Sequence, residues 1–501
     1  MKKNFSLILL LILALLLSAC TGGTAKPGTP ALQKAVVGIP QDFDSLDPHR
    51  SAATGTQEVM LNVFTGLIST TTQGEIVPDL AVSITPSDDL LTYTAVLRTD
   101  VVFHNGQTMT SADVKYSFDR LRGKTEDQKE ALSSTFNVIS SIETPDAKTV
   151  IFHLSNIDVS FPSKLMVAVI PKDSGPQQAT QPIGAGPFKF VSYTPGVGLS
   201  IAKNEAYYGK LSALDLVDFR IYTDSNTGFL ALQTGEVDIM NITLDQCSSV
   251  DPAKINILET PQNMVQLMAL NLDVPAFAKL QVRQALNYAV NKTEIITMLG
   301  PGSPQLDTNF SPLMASYYNK DTEGYYSYDP AKAISLLAEA GESDLQFTVK
   351  VPSVYKFHMD TALLIQAQLA AVGVTMVIEP IEWTTWLDEV YSQASYEATI
   401  IGLTGKLDPD AILGRYASDF NRNFYHYNSA AYDTLIAEAR STADVSTRKQ
   451  LYAEAQMMLT TDAAALYIMD PCLYRAVNHR LSGLETYPIG FIDMKTVTVN
   501  K

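Results

Sequence analysis

After its first twenty residues the chain has no long apolar run, only a few cysteines, and fewer cations than anions. Each shortage excludes something. No later run approaches the ~20 apolar residues that a membrane-spanning helix needs, so the body is expected to be soluble. The three cysteines are Cys20, Cys247 and Cys472, too few for a disulfide framework. Cys247 and Cys472 could still pair outside the cytoplasm, and two buried thiols are the alternative. Against 53 Asp and Glu stand 36 Lys and Arg, a formal charge of −17. Such a surface favours solubility and argues against DNA, RNA or anionic lipid as partners. The six histidines, His49, His104, His153, His358, His426 and His479, are scattered and give no short-range ligand pair. Direct metal binding is therefore not expected, and no cofactor is implied. Repeats and low-complexity blocks are also absent beyond about residue 33.

What is present begins at the amino terminus. Lys2 and Lys3 precede the apolar stretch Leu7 to Leu17, which is too short to span a bilayer and is followed by Ser18 and Ala19. This order reads as a secretory signal over residues 1–19. Leu17-Ser18-Ala19-Cys20 resembles the lipobox of bacterial lipoproteins, which implies lipidation of Cys20. The alternative is an ordinary signal peptide with an incidental Cys20. A diacylglyceryl group carries two acyl chains, which meets the need for more than one at ~0.8 kcal/mol per buried CH₂. Residues 20–32 are rich in Gly, Thr and Pro and are expected to form a solvated tether. The body would then sit outside the cytoplasm, in the periplasm or at the outer face of the membrane, held there through Cys20.

At 501 residues the chain exceeds the ~250–300 that one core supports, so at least two lobes are expected. Strand and helix patterns alternate. Tyr93, Ala95 and Leu97 share one face of "TYTAVLR", as do Val150, Phe152 and Leu154 in "TVIFHLS". Thr110 and Asp113 resemble a capping box ahead of the stripe Val114, Phe118, Leu121. Val282, Ala285, Leu286, Ala289 and Val290 fall at helical spacing. "YDPAKAISLLAEAG" carries Asp329 as N-cap, Pro330 in the first turn and Gly341 past the end. "DTALLIQAQLAAVG" running into "VTMVIEP" is a helix-to-strand unit of an α/β layer.

The order of segments is itself informative. "VVGIPQDFDSLDP", "LLTYTAVLRTDVVFHNGQTMTSADVKYSFDRL", "PIGAGPFKFVSY", "LQTGEVDI", "VRQALNYAVNK" and "YDPAKAISLLAEAG" follow one another from about residue 35 onward. In content and spacing they resemble the family 5 extracellular solute-binding proteins, the oligopeptide, dipeptide and nickel receptors of ABC importers. The resemblance implies an α/β, two-lobed, type II periplasmic-binding-protein-like fold with an extra subdomain in lobe I and a hinge of two strands. Lobe I would comprise residues 33–263, with the subdomain near 61–182. Lobe II would be 264–472, and 473–501 would return to lobe I. It further implies a monomer that captures a peptide or peptide-like solute between its lobes and delivers it to permease subunits. An anionic or conjugated solute, such as an opine or a glycosyl compound, and a chelated metal remain alternatives.

The same resemblance nominates site residues. In dipeptide receptors an acid follows the Trp-Thr-Gly of a cleft loop and pairs with the peptide's amino terminus. Here that stretch reads Leu403, Thr404, Gly405 and then Lys406, so a base replaces the acid. Where those receptors set an arginine against the peptide carboxylate, this chain has Tyr355 with Lys356 beside it. Neither end-anchor of a dipeptide is in place, and ligand preference should differ accordingly. Lys406 could meet an anionic ligand, pair internally with Asp408 or Asp410, or face water; Asp408 is itself a candidate. Trp383 and Trp386 follow a strand where the family brings an aromatic to the cleft. Trp383 is read as core and Trp386 as equally suited to core or site. "SAATGT" matches a cleft-lining loop, which makes Thr54, Gly55 and Thr56 candidate donors.

The rival class is an extracytoplasmic hydrolase. Neither G-x-S-x-G nor H-E-x-x-H occurs. "SVYK" (Ser353 to Lys356) fits S-x-x-K but lacks a following K-T-G and is expected in a strand, so chance is the better account. No catalytic residue is assigned.

Overall fold

The computed structural model describes residues 32–500 except Ala52 and Asn421. The signal segment, Cys20 and nearly all of the tether thus lie outside the described residues. Local patterns fold as the chemistry of each segment dictates. Strands Thr92–Leu97 and Thr149–Leu154 pair antiparallel, and both alternate buried with half-buried residues in the expected phase. Helix Ser111–Leu121 starts at a closed capping box, in which the Thr110 amide donates to Asp113 Oδ2 at 2.7 Å. Helix Pro330–Glu339 is capped by Asp329, which accepts from the Lys332 amide at 2.9 Å. Gly341 sits just beyond it at φ +71°, a left-handed position that glycine takes without strain.

Three larger sheets organise the described residues. A seven-stranded sheet runs in the order Ile255–Pro261, Cys472–Asn478, Ile239–Ile242, Lys34–Ile39, Leu216–Ile221, Gly198–Lys203, Phe188–Thr194. Lys34–Ile39 lies parallel to both of its neighbours. A five-stranded sheet runs Thr375–Ile381, Gln346–Pro352, Ala398–Thr404, Met264–Leu270, Ala465–Met469. A four-stranded antiparallel sheet runs Ala81–Pro86, Thr92–Leu97, Thr149–Leu154, Ile139–Asp146.

The two larger sheets are covered on both faces, and their sequences show why. In Met264–Leu270, Val265, Leu267 and Ala269 enter one core and Met268 and Leu270 the other. A strand buried on both sides reads as a continuous apolar run, with no alternation to betray it. In the seven-stranded sheet, Val37, Ile39 and Ile239 face one core while Val36, Met240 and Ile242 face the opposite one. The four-stranded sheet buries a single face, against helix Ser111–Leu121. There Phe118 meets Phe136 and Phe152, and Phe152 meets Phe161, with ring centroids 5.0–5.4 Å apart.

The chain passes from the seven-stranded to the five-stranded sheet through Gln262 and Asn263, and returns through Asp470 and Pro471. One carboxylate ties the two crossings together. Asp470 is fully buried; its Oδ1 accepts from the amides of Gln262 and Met264, both at 3.1 Å, and its Oδ2 accepts from the Ser311 hydroxyl. Gln262 Nε2 donates to the Pro471 carbonyl at 2.9 Å. Burial pushes the Asp470 carboxyl up to about 6, against the hydrogen bonds from Ser311, Met264 and Gln262 that favour its ionised form.

A folded-state value of about 6 exceeds the unfolded ~3.9, so the stability Asp470 contributes is full below ~3.9 and is lost as pH rises through 6. Relative to Asp470→Asn, the wild-type protein should therefore lose about 2–3 kcal/mol between pH 4 and 7, at ~1.4 kcal/mol per unit. Thermal unfolding midpoints of the two proteins across that range provide the check; parallel curves would contradict it.

Candidate functional site

The strand Ala398–Thr404 ends beside the first crossing. Gly405 donates its amide to the Asn263 carbonyl at 2.5 Å, and a Cβ on Gly405 would lie 2.4 Å from Asn263 Oδ1. Only glycine fits that approach. Asn263 itself takes φ +52° and is buried, and neither polar atom of its amide has a partner among the described residues. Lys406 follows and is held out of this packed corner.

Both acids that could have neutralised Lys406 are taken. Asp408 is buried and accepts twice from Arg448 Nη2 at 2.9 Å, and Asp410 accepts from Arg440 Nε at 2.6 Å. Neither forms an ion pair with Lys406 among the described residues, and Asp408 ties the loop to Arg448. Lys406 reaches solvent, yet crowding by protein lowers its pKa, and repulsion from Arg415 lowers it further. Lys406 is exposed, and that solvent contact moderates the shift. Arg415 donates to the Thr404 carbonyl at 3.3 Å. Among the described residues neither Lys406 nor Arg415 has a carboxylate partner within 4 Å, in a chain with 53 acids.

An aromatic stack stands on the neighbouring strand ends. Tyr355 meets Trp383 edge-on at 5.4 Å, and Trp383 lies flat on Trp386 at 5.2 Å and 5°. Of the two readings left open for Trp386 the core one holds, and Trp383, expected in the core, packs partly buried against it. Trp386 is 2% exposed and donates its Nε1 hydrogen to Thr399 Oγ1 at 2.9 Å, whereas Trp383 is half-buried in the outer layer. The cause is a helical turn starting at Trp383, which brings Trp386 round onto the sheet.

Two further expectations need correction. Ser353 to Lys356 form the turn into helix Lys356–Ala370, not a strand. Lys356 points outward, with a side chain 79% exposed, and pairs with Asp360 one turn on, away from Ser353 and from the stack. Thr54, Gly55 and Thr56 form the first turn of helix Thr54–Met60, not a loop. Gly55 and Thr56 line a cavity of about 80 Å³ with Glu58, Asn241 and Arg475; Thr54 is exposed and does not. Sequence reasoning missed Arg415, Glu58, Asn241 and Arg475. Arg475 carried a signal, as a charge inside the otherwise apolar "CLYRAV".

Cys247 and Cys472 are free and half-buried, so the disulfide is absent and the thiols are less enclosed than expected. His104 donates to or accepts from main-chain groups at Gly184 and Gly186. Among the described residues no three His, Cys, Asp or Glu side chains cluster as a metal site, and no helix is long and apolar enough to cross a membrane.

Comparison with known proteins places this geometry. The profile of bacterial extracellular solute-binding proteins, family 5 Middle, matches residues 75–424. The chain belongs to that family. The dipeptide-binding protein of Escherichia coli (strain K12) is 27% identical over 85% of this chain and 86% of its own length. Among solved structures, the periplasmic binding protein DppA from Helicobacter pylori in complex with peptide STSA superposes with a TM-score of 0.82 at 26% identity, covering 93% of this chain and 98% of that one. AgaA in complex with agropinic acid, from A. tumefacien R10, gives 0.80 at 27% identity, with 93% and 99% covered. The fold of this family member is the type II periplasmic-binding-protein fold, and its relatives are binding proteins.

Replacing Trp386 by Ala should cost this solute-binding protein about 3–5 kcal/mol, as for other buried aromatics. Trp383→Ala should cost measurably less, because that ring is only partly buried. Urea unfolding of the two variants decides; equal losses would show that both rings belong to the core.

Proposed function

We propose that this protein is a lipid-anchored receptor of an ABC importer, leashed through Cys20 outside the cytoplasm. It captures a peptide or peptide-like solute between two lobes and delivers it to permease subunits. The lobes would be built on the seven- and five-stranded sheets, with the Gln262–Asn263 and Asp470–Pro471 crossings as the hinge. The observation that carries the reading is a pair of neighbouring cations without acids. Two adjacent cations, Lys406 and Arg415, lack carboxylate partners at the edge of an aromatic stack beside the crossings. Contacts between the two sides support closure over a ligand: the Val159 amide donates to the Arg440 carbonyl at 3.1 Å. Binding at ~1 µM corresponds to about −8 kcal/mol, enough to bias an open–closed equilibrium if the ligand touches both sides.

Lys406 and Arg415 favour a solute that presents a carboxylate or another anionic group to this loop. The same pair supports a second reading, a conjugated anionic solute that is not a peptide, for which the similarity to AgaA is an added reason.

Native mass spectrometry of freshly purified protein should reveal a co-purified solute bearing an acid group. Lys406→Asp should weaken binding of that solute at least tenfold by calorimetry; unchanged affinity would remove Lys406 from the site. Replacing Cys20 by Ala should move the protein from the membrane fraction to the soluble one, and a variant that stayed with membranes would refute the anchor.

A further inference from the structure

Buried charges in this fold close onto partners. Arg120 meets Asp47, Lys292 meets Asp307 and Arg448 meets Asp408, each in direct contact. One pair does not. Arg475, 5% exposed on strand Cys472–Asn478, faces Glu58 of helix Thr54–Met60; the two attract each other but form no ion pair among the described residues. Arg475 Nε donates to Asn241 Oδ1 at 3.0 Å, and its terminal nitrogens donate to no protein acceptor among the described residues. Burial pushes the Glu58 carboxyl up to about 7 and lowers the Arg475 pKa, so neither charge is fully compensated by the other.

What separates them is the cavity of about 80 Å³, which also touches Gly55, Thr56 and Asn241. At ~30 Å³ per water it has room for two or three waters, or for one small polar head group. The backbone is shaped around it. A Cβ on Gly490 would fall 1.9 Å from Glu58 Oε1, and one on Gly55 2.9 Å from Gln41 Nε2. The cavity lies at the carboxyl ends of the parallel strands Lys34–Ile39 and Ile239–Ile242, where open α/β sheets bind ligands. Asp42 also lines it but is already engaged, accepting from the Tyr193 hydroxyl and from the amides of Phe43 and Gly196. One buried cation and one half-buried anion thus remain, apart and lining a common space.

We propose that this pocket receives a zwitterionic α-amino-acid end of the solute, its carboxylate on Arg475 and its ammonium on Glu58. The proposal rests on the receptor reading and specifies the charge pattern of one end of the cargo. Opposite charges held apart by a small cavity complement a dipolar head group better than either a lone anion or a lone cation, because each ligand charge meets its counter-charge and no buried group is left alone. The side chain of such an amino acid would leave the pocket, which is too small for more than the head.

Three probes test it by calorimetric titration into full-length protein stripped of solute: L-glutamate, glutarate, which lacks the ammonium, and 4-aminobutyrate, which lacks the α-carboxylate. L-Glutamate should bind at least tenfold more tightly than either. Glu58→Gln should bring L-glutamate down to the level of glutarate, Arg475→Gln to that of 4-aminobutyrate, and Arg220→Gln, at an exposed pair with Glu236, should change nothing. If Arg475→Gln does not fold, the wild-type ranking and Glu58→Gln carry the test. Equal affinities for the three probes, no binding of L-glutamate at millimolar concentration, or an unaffected Glu58→Gln would overturn the proposal. The receptor reading is judged separately, by co-purified solute and by ligand-induced closure in solution scattering, so a head-group failure leaves it standing.

Discussion

Everything that can be said of the site depends on how a long chain is held where it passes twice between the same two sheets. The two passages are far apart in sequence, yet Asp470 on the return reaches the amides of Gln262 and Met264 on the outward path. Two strands joined in this way share one register, and neither can slip without breaking a buried hydrogen bond. The bond is made by a carboxylate rather than by a backbone carbonyl, so the junction is specific without being part of either sheet. On the proposed reading it is also where the lobes would rotate. A small tie between two large, separately packed cores is the arrangement that leaves rotation cheap while translation stays costly.

The exposure of Lys406 follows from that junction. Gly405 packs against Asn263 so closely that no side chain fits, and the loop must turn outward at Lys406. Arg448 and Arg440 then absorb the loop's own acids, which both fixes the turn and strips Lys406 of internal partners. On the proposed reading the two neighbouring cations left unpaired would meet an anionic group of the solute. On the other sheet Arg475 and Glu58 line a common cavity without forming an ion pair among the described residues.

How much of this could be read from residues alone varied with the kind of element. Patterns carried by near neighbours in sequence were legible: the alternation of Tyr93, Ala95 and Leu97, the Thr110–Asp113 cap, and the Asp329 and Gly341 punctuation. The family resemblance, carried by several segments in order, was legible too, and with it the α/β fold. The site was legible only in part. Lys406 stood out because it replaced an expected acid, but whether Asp408 or Asp410 would neutralise it depended on arginines 30 and 40 residues away. For the tryptophans the residues left Trp386 open between core and site, because three residues of separation place it and Trp383 on one helical turn. Which of the two then faces the sheet is set by packing.

The sequence by itself determined the element types, the family, the acidic surface and the identity of the residues available to bind. These follow from local stereochemistry and from composition, which do not change on folding. Tertiary structure alone decided which charges would be spent on one another and which would remain. Pairing is a contest among groups distant along the chain, settled by a few ångströms of approach. Asp408 lost its freedom to Arg448 in that contest, while Lys406, Arg415, Glu58 and Arg475 kept theirs.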